Sequence, residues 1–246
     1  MARDGVAIQF DGVYKSFEDT HVLKGMDLEI GWGKITTILG PSGCGKSVTL
    51  KHIIGIERAD AGRVTVDGNE MGTVSERDLV ELRKRIGVLF QSSALFDSMT
   101  VRENVGFGLR MHTGASDAEI NERVQACLEE VELHGAEEMM PVELSGGMRK
   151  RAALARAIAM SPDFILYDEP TTGLDPRTVN VVSDLILKLQ DRLDITSVIV
   201  THDMSLTRRI SDHVALLYQG KVAAQGSPDE IEAADNEVRR FIAGEL

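Results

Sequence analysis

The sequence predicts an α/β fold: a parallel sheet, an antiparallel β edge and an inserted helical segment. Three observations predict it. Ile35-Thr36-Thr37-Ile38-Leu39, Phe164-Ile165-Leu166-Tyr167 and Ser197-Val198-Ile199-Val200 are short runs rich in β-branched and apolar residues, each ending at a polar or glycine-rich turn, the texture of buried strands. Residues 92–160 change texture and carry helix caps and helical apolar stripes instead. Near both ends the chain shows two-residue alternation and glycine turns, which read as antiparallel hairpins.

Taken in order, Val6, Ile8 and Phe10 alternate with Ala7 and Gln9, and Met26, Leu28 and Ile30 alternate again, giving two opening strands with the aromatics Tyr14 and Phe17 between them. The run Ile35 to Leu39 is a third strand, followed by Gly40-Pro41-Ser42-Gly43-Cys44-Gly45-Lys46-Ser47 and a helix in which Val48, Ile53 and Ile54 can face one core. Arg63-Val64-Thr65-Val66 before Asp67-Gly68 reads as strand and hairpin turn. Ser75 caps a helix from Glu76 to Lys84, and Ile86-Gly87-Val88-Leu89-Phe90 is a buried strand that ends at Gln91. Thr100-x-x-Glu103 and Ser116-x-x-Glu119 match the capping box, and Ile120, Val124, Leu128 and Val131 continue a helical stripe after the second. Leu144-Ser145-Gly146-Gly147-Met148 opens an alanine-rich helix that runs to Met160. The strand Phe164 to Tyr167 ends at Asp168-Glu169, and Asp175-Pro176 starts a helix with Val179, Val182, Ile186 and Leu189 as its stripe. Ser197 to Val200 ends at Thr201-His202, and a hairpin around Gly220 closes the layout. The expected division is a core of residues 1–91 and 161–246 with a helical subdomain, 92–160, inserted in it.

Composition narrows the function classes. A chain of 246 residues with 43% hydrophobic content is large enough for an ample core. A net charge of −12 argues against a nucleic-acid surface, which needs a basic patch. Cys44 and Cys127 give no disulfide framework, and with one of them in the glycine-rich loop the expected compartment is a reducing cytoplasm. No secretory signal precedes the first strand, and no apolar run approaches the ~18 residues of a membrane span. A membrane role must therefore pass through a partner.

The residues that carry chemistry begin with the loop after the third strand. It fits G-x-x-x-x-G-K-[ST] between strand and helix, where glycines let main-chain N–H groups wrap a phosphate and the helix start adds a favourable dipole. There Lys46 reaches the β- and γ-phosphates of a nucleotide and the Ser47 hydroxyl holds Mg²⁺. Asp168 and Glu169 end a strand at the same sheet edge, suited to hold Mg²⁺ through water and to polarise the attacking water; alone, such a pair is as often a solvated turn. Ser145-Gly146-Gly147 exposes N–H groups at a helix start, a second anion site on the inserted segment, although taken alone it reads as an ordinary cap. Gln91 and His202 end strands on the loop edge, where an amide can sense Mg²⁺ and water and an imidazole can bond a γ-phosphate; a lone residue of either kind is more often structural. Phe17 can stack on a base, or be a half-buried strand-end aromatic.

Together these residues resemble the nucleotide-binding subunit of an ABC transporter, a P-loop NTPase. Aromatic loop, phosphate loop, glutamine loop, signature, strand carboxylates, D-loop and switch histidine stand in family order as Phe17, Gly40 to Ser47 with Val48, Gln91, Leu144 to Met148, Phe164 to Glu169, Gly173-Leu174-Asp175-Pro176, and His202. The resemblance covers nearly the whole chain. It implies ATP and Mg²⁺ as ligands, the metal held by Ser47, Gln91 and Asp168, and a catalytic set of Lys46, Gln91, Glu169 and His202 with Glu169 as general base. It also implies a homodimer in which Ser145, Gly146 and Gly147 bind the partner copy's γ-phosphate and Asp175 couples the two sites.

A narrower resemblance, carried by Phe90 to Phe96, Leu144 to Arg151 and Ile165 to Pro176, is to the lipid-asymmetry (Mla, or MCE-linked) branch. It implies ATP-driven phospholipid or other lipid movement between bacterial membranes, with a permease, an MCE-domain protein and a small STAS-type subunit as partners. The chain would then lie peripherally on the cytoplasmic face of the inner membrane. Many import ATPases have glutamine where Met148 stands. The alternatives are an ABC ATPase for another solute and a non-transport ABC protein. Against the latter stand one cassette, no coiled-coil or zinc insertion and the negative charge. The chain stops soon after Phe241, so a longer tail that clasps a partner is not expected. The family's permease groove places Leu95, Phe96 and Met99 at the contact edge.

Overall fold

The computed structural model describes residues 3–234. Expectations that concern the end of the chain beyond them, Phe241 included, lie outside the described residues. Two compact units divide the chain, Met1–Glu81 with Thr196–Leu246 and Leu82–Ile195. The second holds the whole 92–160 stretch together with the strands and the helix on either side of it.

In the first unit, β1 (Val6–Phe17) pairs antiparallel with β2 (Thr20–Gly31) and with β4 (Ala61–Val66), and β5 (Asn69–Glu70) closes the hairpin on β4. The alternation in the sequence is the reason: Ile8, Phe10, Val13, Met26, Leu28 and Ile30 all face one buried side. The two opening strands are longer than expected, and Tyr14 and Phe17 lie within β1 rather than between strands. Asp67 (φ +47°) and Gly68 (φ +74°) make the tight turn, the left-handed pair that a two-residue hairpin requires.

The same unit carries β3 (Ile35–Leu39), parallel to both β8 (Thr196–Thr201) and β9 (His213–Tyr218), with β10 (Lys221–Gly226) antiparallel on β9. β3 and β8 are buried along their whole length, which is why neither alternates. Helix α1 (Lys46–Ile53) follows β3 and buries Thr49, Leu50, His52 and Ile53; Ile53 and Ile54 are buried as expected, while Val48 is only half-buried. Two short helices were not foreseen. These are α7 (Met204–Ile210), capped by Asp203, and α8 (Pro228–Ala233), which has a full capping box from Ser227 and Glu230. Ile231 of α8 packs on Leu39, Val214 and Leu216.

The unit boundary falls within α2 (Glu76–Lys84), capped by Ser75 as expected. In the second unit β6 (Ile86–Leu89) runs parallel to β7 (Phe164–Asp168). β6 is shorter than expected. Phe90 is outside it and 40% exposed, and Gln91 sits in the following turn rather than at the strand end. Capping boxes start α3 (Val101–His112) and α4 (Asp117–Glu130), and Gly106 lets Ile120 and Val124 of α4 pack directly on α3. Helix α5 (Gly146–Ile158) lies so close to β6 that a Cβ on Gly87 would stand 2.4 Å from the Ala157 carbonyl oxygen. Helix α6 (Pro176–Leu193) buries the predicted Val182, Ile186 and Leu189 with Leu185.

Candidate functional site

In the first unit the loop after β3 is shaped by the absence of side chains. A Cβ on Gly40 would lie 2.3 Å from the Leu217 carbonyl oxygen and 2.8 Å from Cys44 Sγ, so only glycine fits. Gly43 (φ +81°) and Gly45 (φ +112°) take left-handed conformations that turn the chain into α1. The start of α1 receives no side-chain cap and has no acidic residue in its first turn, leaving main-chain donors for an anion. Lys46 is buried and folds back to donate to the carbonyl oxygens of Gly40 (2.8 Å) and Pro41 (3.0 Å). Those bonds hold the ammonium over the loop, placed to exchange neutral acceptors for phosphate oxygens. Ser47 is exposed beside it.

The Gly40 N–H donates to the Thr201 carbonyl (3.2 Å), bringing the end of β8 against the loop. His202 is the next residue, exposed in the bend before α7. Phe17 ends β1, 39% exposed, with the Lys15 ammonium 5.1 Å from its ring centroid. Neither Cys44 nor Cys127 is in a disulfide, and burial pushes the Cys127 thiol up to about 11. A cavity of about 860 Å³ in this unit is lined by Asp11, Asp27, Glu29 and Asp212 with Lys34, a net negative lining unsuited to a polyphosphate.

In the second unit Asp168 ends β7, and Glu169 follows with φ +48°, a conformation a non-glycine residue holds only when its surroundings impose it. The imposing bonds are visible. Thr172 donates from its amide to the Glu169 carbonyl (3.3 Å) and from its hydroxyl to Glu169 Oε2 (3.0 Å). Ser145 caps α5 by accepting from the Met148 N–H (3.3 Å) and is itself exposed. Gly147 packs on α6: a Cβ there would stand 2.6 Å from the Thr178 methyl. Asp175 caps α6, accepting from the Arg177 and Thr178 amides and from the Thr178 hydroxyl at 2.5 Å. The Thr178 hydrogen bonds hold the Asp175 carboxyl below its ordinary value.

One residue joins several of these and was missed from sequence. Lys150, 4% exposed on α5, donates to the Gln91 carbonyl at 2.7 Å and reaches the Phe90 and Glu169 carbonyls at 3.4 Å. Burial pushes its ammonium down, opposed by Asp168 and Glu169. A signal existed. Lys150 shares a helical face with Ala153, Leu154 and Ala157, and a lysine on an apolar face asks for a buried partner. Thr172 and Thr178 gave no such signal.

No helix among the described residues is long and apolar enough to cross a membrane. The profile of the ABC transporter family matches residues 23–172. The intermembrane phospholipid transport system ATP-binding protein MlaF of Haemophilus influenzae is 42% identical over 92% of this chain and 86% of its own length. Its Escherichia coli K12 namesake is 43% identical over 91% and 83%. A probable ribonucleotide transport ATP-binding protein of Mycobacterium leprae is 41% identical over 98% and 70%. Among solved structures, a cbiO1 cassette from Clostridium perfringens, part of the cbiONQ transporter complex, superposes with a TM-score of 0.86 at 32% identity, over 99% of this chain and 96% of the other. A dimeric ATP-binding cassette in a post-hydrolysis state, bound to ADP and Pi, gives 0.83 at 31%, over 90% and 98%.

Proposed function

This chain belongs to the ABC transporter family, and from that premise we propose that it is the ATP-hydrolysing subunit of a transporter that moves phospholipid between the membranes of a bacterium. The lipid reading is carried by relatives named for intermembrane phospholipid transport that match over more than nine-tenths of the chain. The similarity to a protein named for ribonucleotide transport favours a second reading, an ATPase for another solute.

In the proposed cycle, Lys46 and the amides from Gly43 to Val48 bind the phosphates of ATP, and Phe17 lies against the base. The loop suits that ligand, since its main-chain donors and buried ammonium ask for an anion. Mg²⁺, when bound, offsets charge on the phosphoryl oxygens; Ser47, Gln91 and Asp168 would hold it, and their hydroxyl, amide and carboxylate oxygens are the hard donors it prefers. Glu169 accepts the proton of the attacking water, while Gln91 orients that water and His202 bonds the γ-phosphate. The exposed Ser145 with Gly146 and Gly147 faces the nucleotide of a second copy, and Asp175 links the two sites of the homodimer. The dimeric cassette among the structural relatives supports that arrangement. We take residues 92–160 as the helical subdomain and place the chain peripherally on the cytoplasmic face of the inner membrane. Its partners there are a permease, an MCE-domain protein and a small STAS-type subunit. Phe96, 43% exposed against Phe107 with ring centroids 4.8 Å apart, is the apolar anchor offered to the permease.

The experiment is to purify the chain from solubilised membrane, identify the proteins and lipids that accompany it, and measure ATP-driven phospholipid transfer in vesicles rebuilt with that complex. Transfer that needs ATP supports the reading. ATPase stimulated by ribonucleotide, with no lipid in the complex, moves the conclusion to the second.

A further inference from the structure

Helix α5 starts at the Ser145 cap and carries two cations that close on one loop, residues 90–96. Lys150 holds the start of that loop by the Gln91 and Phe90 carbonyls and reaches across to Glu169. Less than two turns further on, Arg156 donates to the Ala94 carbonyl at 2.6 Å and the Ser93 carbonyl at 3.0 Å, and its guanidinium lies 6.0 Å from the Phe96 ring centroid. The loop needs such holding. Ser93 (φ +67°) and Ala94 (φ +47°) are consecutive non-glycine residues in the left-handed region, a conformation that persists only where neighbours impose it. Both holding groups bond main-chain oxygens, so the clamp fixes the path of the loop whatever its side chains do. Burying an ammonium also has a cost that packing alone would not repay, and hydrogen bonds to three carbonyls are what offset it.

We propose that Lys150 and Arg156 are positioning residues that lock loop 90–96 to the signature helix, Lys150 also tying that loop to Glu169. Gln91, the Glu169 turn and α5 then shift together, and Phe96 at the far end of the loop shifts with them. The consequence for hydrolysis rests on the reading above, in which Gln91 and Glu169 act on water; the clamp itself does not.

The test is Lys150→Met in the full chain, which keeps the stem and removes the donors, beside Lys150→Arg, which keeps donors. Two measurements are made: Mg-ATPase kinetics, and amide hydrogen exchange with and without nucleotide. Lys150→Met should lower kcat by about 10²-fold, the scale of an ångström-level misplacement, with KM for ATP within about twofold. Exchange should quicken at residues 91–95 and at the Glu169 turn and stay unchanged in α4. Lys150→Arg should recover at least tenfold of the lost kcat. Arg156→Met should quicken exchange at 93–96 without affecting Glu169. Unchanged exchange at 91–95 in Lys150→Met overturns the proposal, and so does an even rise across α3, α4 and α5, which would mean general destabilisation. Gln91→Ala is measured alongside. If it hydrolyses ATP normally while Lys150→Met shows the local exchange pattern, the clamp stands and the assignment of Gln91 to hydrolysis fails.

Discussion

The loop after β3 and the loop after β6 make opposite use of the chain. The first, Gly40 to Ser47, takes its shape mainly from its own residues: glycines supply the left-handed turns and the close approach to the Leu217 carbonyl, and its lysine folds onto the loop's own carbonyls, with the Gly40 N–H bonded to Thr201 of β8. The second, residues 90–96, has no glycine, includes two non-glycine left-handed residues, and is held by donors from α5 and by Asn104 of α3, which bonds both the amide and the carbonyl of Phe96. A loop encoded mainly in its own residues can be read from them. An imported one takes the position of the elements that hold it, as the proposed clamp by Lys150 and Arg156 requires.

The largest effect expected on this contrast comes from Glu169→Gln, whose amide cannot take a proton from water. Steady-state hydrolysis should fall about 10³-fold while ATP affinity survives, and the ATP-bound dimer should accumulate on gel filtration with Mg-ATP. Normal turnover removes Glu169 from the chemistry. Next is Lys46→Ala. Two charge-assisted bonds to phosphate are lost with nothing local to replace them, so calorimetric ATP affinity should drop about 10²-fold. Near-normal affinity would show that the first loop does not act through its own lysine. A smaller effect separates close approach from conformation within that loop. Gly40→Ala forces a Cβ to 2.3 Å from a fixed carbonyl and should cost about 3 kcal/mol in urea unfolding, whereas Gly43→Ala meets nothing within 4 Å and should cost only about 1 kcal/mol for its left-handed φ. Equal costs would mean that the Leu217 carbonyl yields.

The same contrast explains what the sequence made legible. β3, the glycine-rich turn from it into α1, the capping boxes at Thr100 and Ser116 and the hairpin at Asp67-Gly68 are local codes, written in residues that lie side by side, and all were readable. The end of β6 was misplaced because Phe90 continues an apolar run, yet the chain turns there under bonds from residues sixty positions away. Helices α7 and α8 escaped because seven- and six-residue helices offer too few turns to show a period, although the Ser227-x-x-Glu230 box was there to be read. The roles of Thr172, Thr178 and Lys150 depend on contacts between elements, and only the helical position of Lys150 left a trace in the order of residues.

The smallest effect expected is one of pH, and it lies in the helix that leaves the phosphate loop. His52 of α1 is 1% exposed; Nδ1 bonds the Val48 carbonyl at 2.8 Å within its own helix, and Nε2 is buried without a partner. Burial therefore pushes its pKa below the ordinary 6.5, helped by Lys15 and opposed by the Val48 bond, Glu57 and Asp60. The sign follows from proton uptake. Well above pH 6.5 the imidazole is neutral both folded and unfolded, and it adds no pH dependence. As pH falls below that value the unfolded chain takes up a proton that the folded chain refuses, so stability declines until the folded pKa is passed. The carboxylates whose values are lowered by hydrogen bonds, Asp60, Glu119, Asp175 and Glu230, begin from ordinary values of 3.8 to 4.5 and lose their contribution at lower pH than this. From pH 6.5 to 5 the difference between the parent chain and His52→Leu therefore reports on this histidine. Urea midpoints measured across that interval should fall for the parent chain and fall less for His52→Leu, which places an apolar side chain among buried neighbours. Parallel curves for the two proteins would mean that Nε2 finds a proton acceptor in solution, and that α1 is less tightly closed over His52 than its burial implies.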